Sequence, residues 1–364
     1  MPSGRRPLEL EGDDLRGINV TASIGLVKYN PYLGRDLRTY GAEDFERAVQ
    51  HETAFIAKLN QYRGQFSVCV WLSPKRSRSF PLARVYDLFQ YPYKQVAIIP
   101  FIKDEGGKGD RDYLQWDTLA MLSLLDTYVI ITYYKDAVKH KHLGGKITKQ
   151  IVDVEQVRRE LDQLMSCRSD PLHWNLDQLD RVDRVAQQAV NAYVRMERDL
   201  GVRMHSIPAA KRRVRQLMES KDKFMQDSRR RSRRAQQTEA GSRQPGEPAR
   251  NRKGAITINN FLGGNYFLTC DNTKVDEGQV FLVENKNGSV KFPSSEAVKE
   301  GLMKMALFSN LREVKVNGVP CKPVPTLHLA AKQPLTAENR KLVALLRMEE
   351  QSNNFQITLN GGIL

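Results

Sequence analysis

The sequence predicts an α/β (α+β) protein, and three observations carry that expectation. Short runs rich in Val, Ile, Phe and Tyr alternate with amphipathic helical spacing through the first 150 residues. Residues 151–236 keep helical periodicity alone. The last 110 residues open on two β-rich runs around a turn pair and then change to 3–4 spacing. A chain of 364 residues exceeds the usual single-domain size. Four segments are expected: an α/β domain over 1–150, a helical segment over 151–236, a linker over 237–254, and a compact domain over 255–364.

In the first segment, Phe45, Ala48, Val49, Phe55, Ile56 and Leu59 mark one amphipathic helix. Strands are expected over Phe66–Leu72, Gln95–Ile102 and Thr127–Tyr134, with a helix over Tyr113–Leu125. The loop Lys103–Asp112 is rich in glycine and acid; Asp104, Glu105, Asp110 and Asp112 are candidate ligands for a second metal site, or a solvated connection. His140 and His142 read as exposed residues of a basic loop. Helices follow over Val154–Met165, Leu176–Leu200 and Ala209–Met225, the last after Pro208, whose fixed φ suits a first turn.

The formal net charge is +15, unevenly spread. Between Gly201 and Gly254 there are 16 Lys or Arg against 5 Asp or Glu. Such a surplus suits a polyanion partner through phosphate neutralisation and counterion release. Arg212, Arg213, Arg229, Arg230, Arg231, Arg233 and Arg234 are the candidate nucleic-acid contacts. The stretch 237–254 lacks apolar anchors and reads as a basic disordered linker. No run of 18 apolar residues and no apolar leader is present, so a cytoplasmic protein with no membrane partner is expected. Cys69, Cys167, Cys270 and Cys321 lie too far apart in sequence to suggest a zinc site and read as free thiols.

The most informative stretch lies near the C-terminus. Tyr266–Asp271 and Gln279–Lys286 are β-rich, and Glu277-Gly278 suits a two-residue hairpin loop. With that loop Asp276 pairs with Gln279, and the same register puts Asp271 opposite Glu284. Cross-strand partners share a face with Cβ atoms roughly 5 Å apart. Lys286, two residues beyond Glu284, points to that face as well. Two carboxylates and an ammonium would converge where a hard divalent cation could bind. Opposed carboxylates repel, so neutralising Glu284 is expected to leave stability equal or better. Plainer readings of the same residues are an exposed Glu284/Lys286 pair guarding an edge strand and an Asp271 that starts a turn.

Asp271, a gap of 12 residues, then Glu284-Asn285-Lys286 resembles the PD-(D/E)xK nuclease superfamily, and the chain as a whole looks like a type II restriction endonuclease. Cys270 stands where the motif's proline would be, and Asn285 occupies a position more often apolar. The resemblance implies a restriction-endonuclease-like core, a mixed sheet flanked by helices. In such a core the first acid begins the second strand, the (D/E)xK triplet sits on the third, and a helix and another strand follow. The helical pattern Pro293–Leu311 and the strand Arg312–Asn317 before the Asn317-Gly318 turn are the expected continuation, with a further helix over Leu335–Glu350. The resemblance also implies catalytic Asp271, Glu284 and Lys286. Mg²⁺ would be held by Asp271, Glu284 and the Asn285 carbonyl, double-stranded DNA would be the substrate, and a homodimer would cut both strands. The first segment is then a recognition domain or a degenerate copy of the nuclease fold. A non-catalytic DNA-binding protein on the same scaffold is the alternative.

Overall fold

The computed structural model describes residues 18–59, 64–75, 80–218, 252–260, 265–288 and 291–364. The elements in chain order begin with β1 (Ile18–Ile24), β2 (Thr39–Gly41), α1 (Phe45–His51), β3 (Ala54–Lys58), β4 (Gln65–Val70), α2 (Pro81–Tyr86) and β5 (Lys94–Pro100). Then come β6 (Ile102–Asp104), β7 (Arg111–Tyr113), α3 (Trp116–Leu124), β8 (Thr127–Thr132), β9 (Tyr134–Lys139) and β10 (Ile147–Val152). Four helices follow: α4 (Val154–Ser166), α5 (Pro171–Asp180), α6 (Val182–Leu200) and α7 (Ile207–Met218). The last part holds β11 (Arg252–Asn260), β12 (Asn265–Asp276), β13 (Gln279–Asn287), α8 (Ser295–Phe308), β14 (Leu311–Val316), β15 (Val319–Pro320), β16 (Lys322–Ala330), α9 (Ala337–Asn353), β17 (Gln356–Leu359) and β18 (Gly362–Ile363).

The chain divides into two compact units, and the division is not at residue 150 or 254. One unit is Met1–Gly25, Arg231–Ser294 and Lys304–Leu364; the other is Leu26–Arg230 and Ser295–Met303. The helical segment therefore belongs with the preceding α/β region, and the first described strand belongs with the C-terminal region. Residues 237–251, most of the expected linker, lie outside the described residues, and Arg252 already begins β11.

The first unit is built on a mixed sheet of nine strands, in the order β15-β14-β1-β11-β12-β13-β16-β17-β18. The hairpin β12–β13 forms in the expected register, from Asp276↔Gln279 to Asn272↔Val283. Glu277 and Gly278 both take positive φ, 44° and 76°, which is what a two-residue type I′ loop demands. Arg312–Asn317 does form a strand, but it pairs antiparallel with β1 on the far side of the sheet. The strand parallel to β13 is β16, which the prolines at 323 and 325 conceal. Lys322 donates its N–H to Gly278 on the β13 side, so the alternate residues 323 and 325 face the other way. There β17 begins to pair only at Thr326, and the missing proline N–H groups leave no ladder bond unmade.

The second unit holds a five-stranded sheet of order β2-β3-β4-β5-β8, covered by helices. The single helix expected over residues 45–59 is instead α1 followed by β3. Ala54, Phe55, Ile56 and Ala57 are all buried, because β3 lies between two neighbours with both faces covered. A run buried on both faces cannot be told from a buried helix by periodicity alone. The long helix expected over 176–200 is two, with Pro171 opening α5 and α6 starting at Val182. No helix among the described residues is long and apolar enough to cross a membrane.

Candidate functional site

The site grows out of a fault in the sheet. Strand β12 pairs with β11 through Gly254↔Cys270, but the next matched pair is Arg252↔Thr273, so one residue is extra on β12 at Asp271 and Asn272. A bulge of this kind re-aims a side chain and bends its strand. Gly254 is required there: a Cβ on it would lie 2.1 Å from Thr273 Oγ1 and 2.6 Å from Cys270 Sγ. Those two atoms hydrogen-bond to each other at 2.9 Å across the bulge. Burial pushes the Cys270 thiol up to about 11, so it is a packing group and not a nucleophile.

The ladder between β12 and β13 ends at Asn272↔Val283, while β13 continues beside β16 to Asn287. Asp271, Glu284, Asn285 and Lys286 sit at the resulting fork. The Asp271 carboxylate takes over where backbone pairing stops, accepting the Asn285 N–H at Oδ2 (2.8 Å). The N–H and C=O of one residue point to the same side of a strand, so the Asn285 carbonyl faces the fork too. Asp271 therefore lies inside β12 and not at its start, as the sequence resemblance implied.

Glu284 is 2% exposed, at the end of the buried row Val280, Leu282, Glu284. Both its oxygens are engaged. Lys286 Nζ is 2.9 Å from Oε1 and Lys304 Nζ is 2.7 Å from Oε2. Lys304 also donates to the Thr269 carbonyl at 3.1 Å, so it ties both arms of the fork to α8. Burial favours the neutral acid, but the two ammonium groups outweigh it and hold Glu284 below the usual glutamate range. Asp271 moves the other way: burial first, then the charge of Glu284, raises its carboxyl. The expectation that neutralising Glu284 would be harmless is thereby reversed. Removing its charge takes from two ammonium groups the carboxylate that both of them contact.

Lys304 was not among the residues singled out in the sequence. A signal for it exists. Helix α8 is buried on nearly every side, with Val298, Leu302, Met303, Met305, Ala306, Leu307 and Phe308 in the core. A lysine in such a helix needs a buried acidic partner. Lys299 obeys the same rule, with Asp87 at 2.6 Å.

The donor set suits a hard cation in part. Mg²⁺ needs only one or two carboxylates and takes its other oxygens from water or substrate. Two carboxylates that repel, with a carbonyl beside them, meet that need. Since both Glu284 oxygens are occupied by ammonium groups, a cation would enter by exchange with one lysine. Among the described residues no group of three or more His, Cys, Asp or Glu could hold a metal ion. The acidic loop is likewise committed: Asp104 Oδ1 accepts His205 Nδ1 (2.8 Å) and the Gly106 N–H (2.9 Å), and Glu105 lies between Lys103 (3.1 Å) and Lys146 (3.0 Å). Asp112 receives Ser73 Oγ at 3.0 Å.

Of the candidate DNA-contacting arginines, Arg212 is exposed on α7 beside Lys211 and Arg215, and Arg213 lies on the same helix. Arg229, Arg230, Arg231, Arg233 and Arg234 lie outside the described residues. No protein-family model, no curated protein and no solved structure matches this chain.

Proposed function

We propose that the chain is a metal-dependent endonuclease of the PD-(D/E)xK kind, hydrolysing phosphodiester bonds of duplex DNA in the manner of a type II restriction enzyme. The observation that carries the reading is the fork. The β12–β13 ladder keeps the register the motif needs as far as Asn272↔Val283, Asp271 and Glu284 lie just beyond it, Lys286 is paired to Glu284, and α8 and, after β14 and β15, the parallel strand β16 follow. A mixed sheet in that order supports a restriction-endonuclease-like core, with β16 in the place first expected for residues 312–317.

The side chains divide the work by charge. A bound Mg²⁺ would supply Lewis acidity toward a phosphoryl oxygen. Asp271 and Glu284 are the anionic groups to hold it, with the Asn285 carbonyl beside them. Lys286, partly exposed at 22%, orients the attacking water and offsets the charge that gathers on phosphorus in the transition state. Lys304 is the positioning residue that fixes Glu284 against Thr269. Exposed Lys211, Arg212 and Arg215 on α7, with the arginines from 229 to 234, suit backbone phosphates and carry no sequence preference. Cutting both strands at a symmetric site calls for a twofold dimer.

The test is Mg²⁺-dependent cleavage of mixed-sequence duplex DNA by the wild type, Glu284→Ala and Lys286→Ala, beside gel-shift binding in Ca²⁺. Loss of cutting with retained binding supports the reading. Cutting at the wild-type rate by either variant removes the fork as the active site. The second reading, a DNA-binding protein on this scaffold without catalysis, draws on the complete engagement of Glu284 by two lysines. Failure of the wild type to bind Mg²⁺ in a calorimetric titration with DNA present favours it.

A further inference from the structure

The unit that does not contain Glu284 holds a cleft of about 700 Å³, within the range of small-molecule sites. It opens between the end of α1, the end of β4 and the strands β6, β9 and β10. Its floor is apolar, with Val70, Leu72, Val138 and Ile151 among the lining residues. Three lysines, Lys103, Lys146 and Lys149, line the cleft with a single carboxylate, Glu105, which pairs with the first two. Burial works against the Glu105 charge, yet Lys146 and Lys103 hold its carboxyl below the usual range, so it stays ionised and fixes both ammonium groups in place. Lys149 is exposed and makes up a surplus of positive charge.

Two further features set the rim. Lys149 has φ +49°, in the left-handed region, where the β9–β10 register shifts between Thr148 and Ile151. A non-glycine residue held so is strained, and such strain gathers at binding sites. His140 accepts the N–H groups of His142 (3.2 Å) and Leu143 (3.0 Å) at Nδ1, which leaves its ring proton on Nε2 as a donor.

We infer that this cleft binds a nucleoside 5′-phosphate, with the phosphate on the lysine rim and the base against the apolar floor. Phosphate chemistry follows from the ammonium surplus, because lysine is a point-charge phosphate binder. A body larger than phosphate follows from the volume and the apolar floor, which a bare anion would leave in contact with water. The ligand is a free mononucleotide or the 5′-terminal nucleotide of a strand, and the chemistry is the same for both. The inference does not depend on the nuclease reading.

Calorimetry on the full chain tests it with four probes: AMP, adenosine, inorganic phosphate and a 5′-phosphorylated tetranucleotide. AMP or the tetranucleotide is expected to bind at least tenfold more tightly than adenosine or phosphate, and the tighter of the two identifies the source. Lys149→Gly relieves the backbone strain and removes one ammonium, so it should lose at least tenfold in affinity while melting no lower than wild type. Leu72→Glu, at a side chain 45% exposed, keeps all three lysines and should weaken binding through charge. Nucleotide binding no tighter than inorganic phosphate, or unaltered in Lys149→Gly, overturns the inference.

Discussion

Around Glu284, the antiparallel pair β12–β13 is followed by α8, β14 and β15 before the parallel strand β16, and then by α9 and the parallel strand β17. In the unit that carries Glu105, the antiparallel pair β3–β4 is followed by α2 and the parallel strand β5, and then by β6, β7 and α3 before the parallel strand β8. The order of paired strands repeats, and the side chains on them do not. Ladder β3–β4 runs unbroken from Ala54↔Cys69 to Lys58↔Gln65. Strand β4 carries no charged residue, and burial raises its Cys69 thiol to about 12. On β12 a bulge against β11 and a ladder with β13 that stops short leave backbone groups facing a gap, and charged side chains fill it. Within the same strand order β4 is uncharged where its ladder is whole and β12–β13 is charged where it forks, so the fork and not the fold is the thing to perturb.

The largest expected effect is on the proposed chemistry. Lys286→Ala should slow Mg²⁺-dependent cleavage on the order of a thousandfold, about 4 kcal/mol, with DNA binding in Ca²⁺ little altered. Next comes stability. Glu284→Gln takes the shared carboxylate charge from two partly buried ammonium groups and should cost about 3 kcal/mol in urea denaturation at neutral pH. Lys304→Met removes one of them and fills the space with an apolar chain, so the double variant Glu284→Gln/Lys304→Met should recover part of that loss. Gly254→Ala forces a Cβ against Thr273 and Cys270 and should cost about 2 kcal/mol. Ala57→Ser on the unbroken ladder of the other unit serves as the contrast: it should lower stability without touching cleavage.

The smallest effect on stability is that of Asp271→Asn, a gain on the order of 1 kcal/mol at neutral pH, with cleavage lost. Its pH dependence has a definite sign. The folded-state pKa of Asp271 is raised, so the group favours folding only while protonated, below the unfolded value near 3.8, and that contribution is lost as pH rises through the folded value. The gain from Asp271→Asn should therefore fade as pH falls toward 3.8. Glu284 is depressed and contributes above its unfolded value of 4.5, with the contribution lost as pH falls through the folded value. The penalty of Glu284→Gln should thus outlast the gain of Asp271→Asn on acidification. Denaturation curves at pH 7 and pH 4 separate the two, and equal pH dependence would contradict the assigned charges. Deleting residues 229–251 should flatten the dependence of DNA affinity on log salt without altering sequence preference.

The hairpin register was legible because it depends on neighbours in sequence. Glu277-Gly278 sets a two-residue loop, and the side-chain period of two carries the register as far as Asn272↔Val283, next to Asp271 and Glu284. The helices over 295–308 and 337–353 were legible for the same reason, since 3–4 spacing is local. What surrounds the hairpin was not. Strand β16 carries two prolines whose tolerance depends on where β17 begins, a relation across about 30 residues of chain. Strand β1 pairs with Gly254 to Asn260, more than 200 residues away, and nothing local announces it. Lys304 looked like one residue of a helical pattern until burial on nearly every side of α8 made a partner obligatory. The roles of the two carboxylates were decided last of all, because their charges depend on burial and on which ammonium groups arrive. Sequence spacing sets which side chains share a strand face; only packing sets what each of them faces, and the electrostatics of the site follow from that.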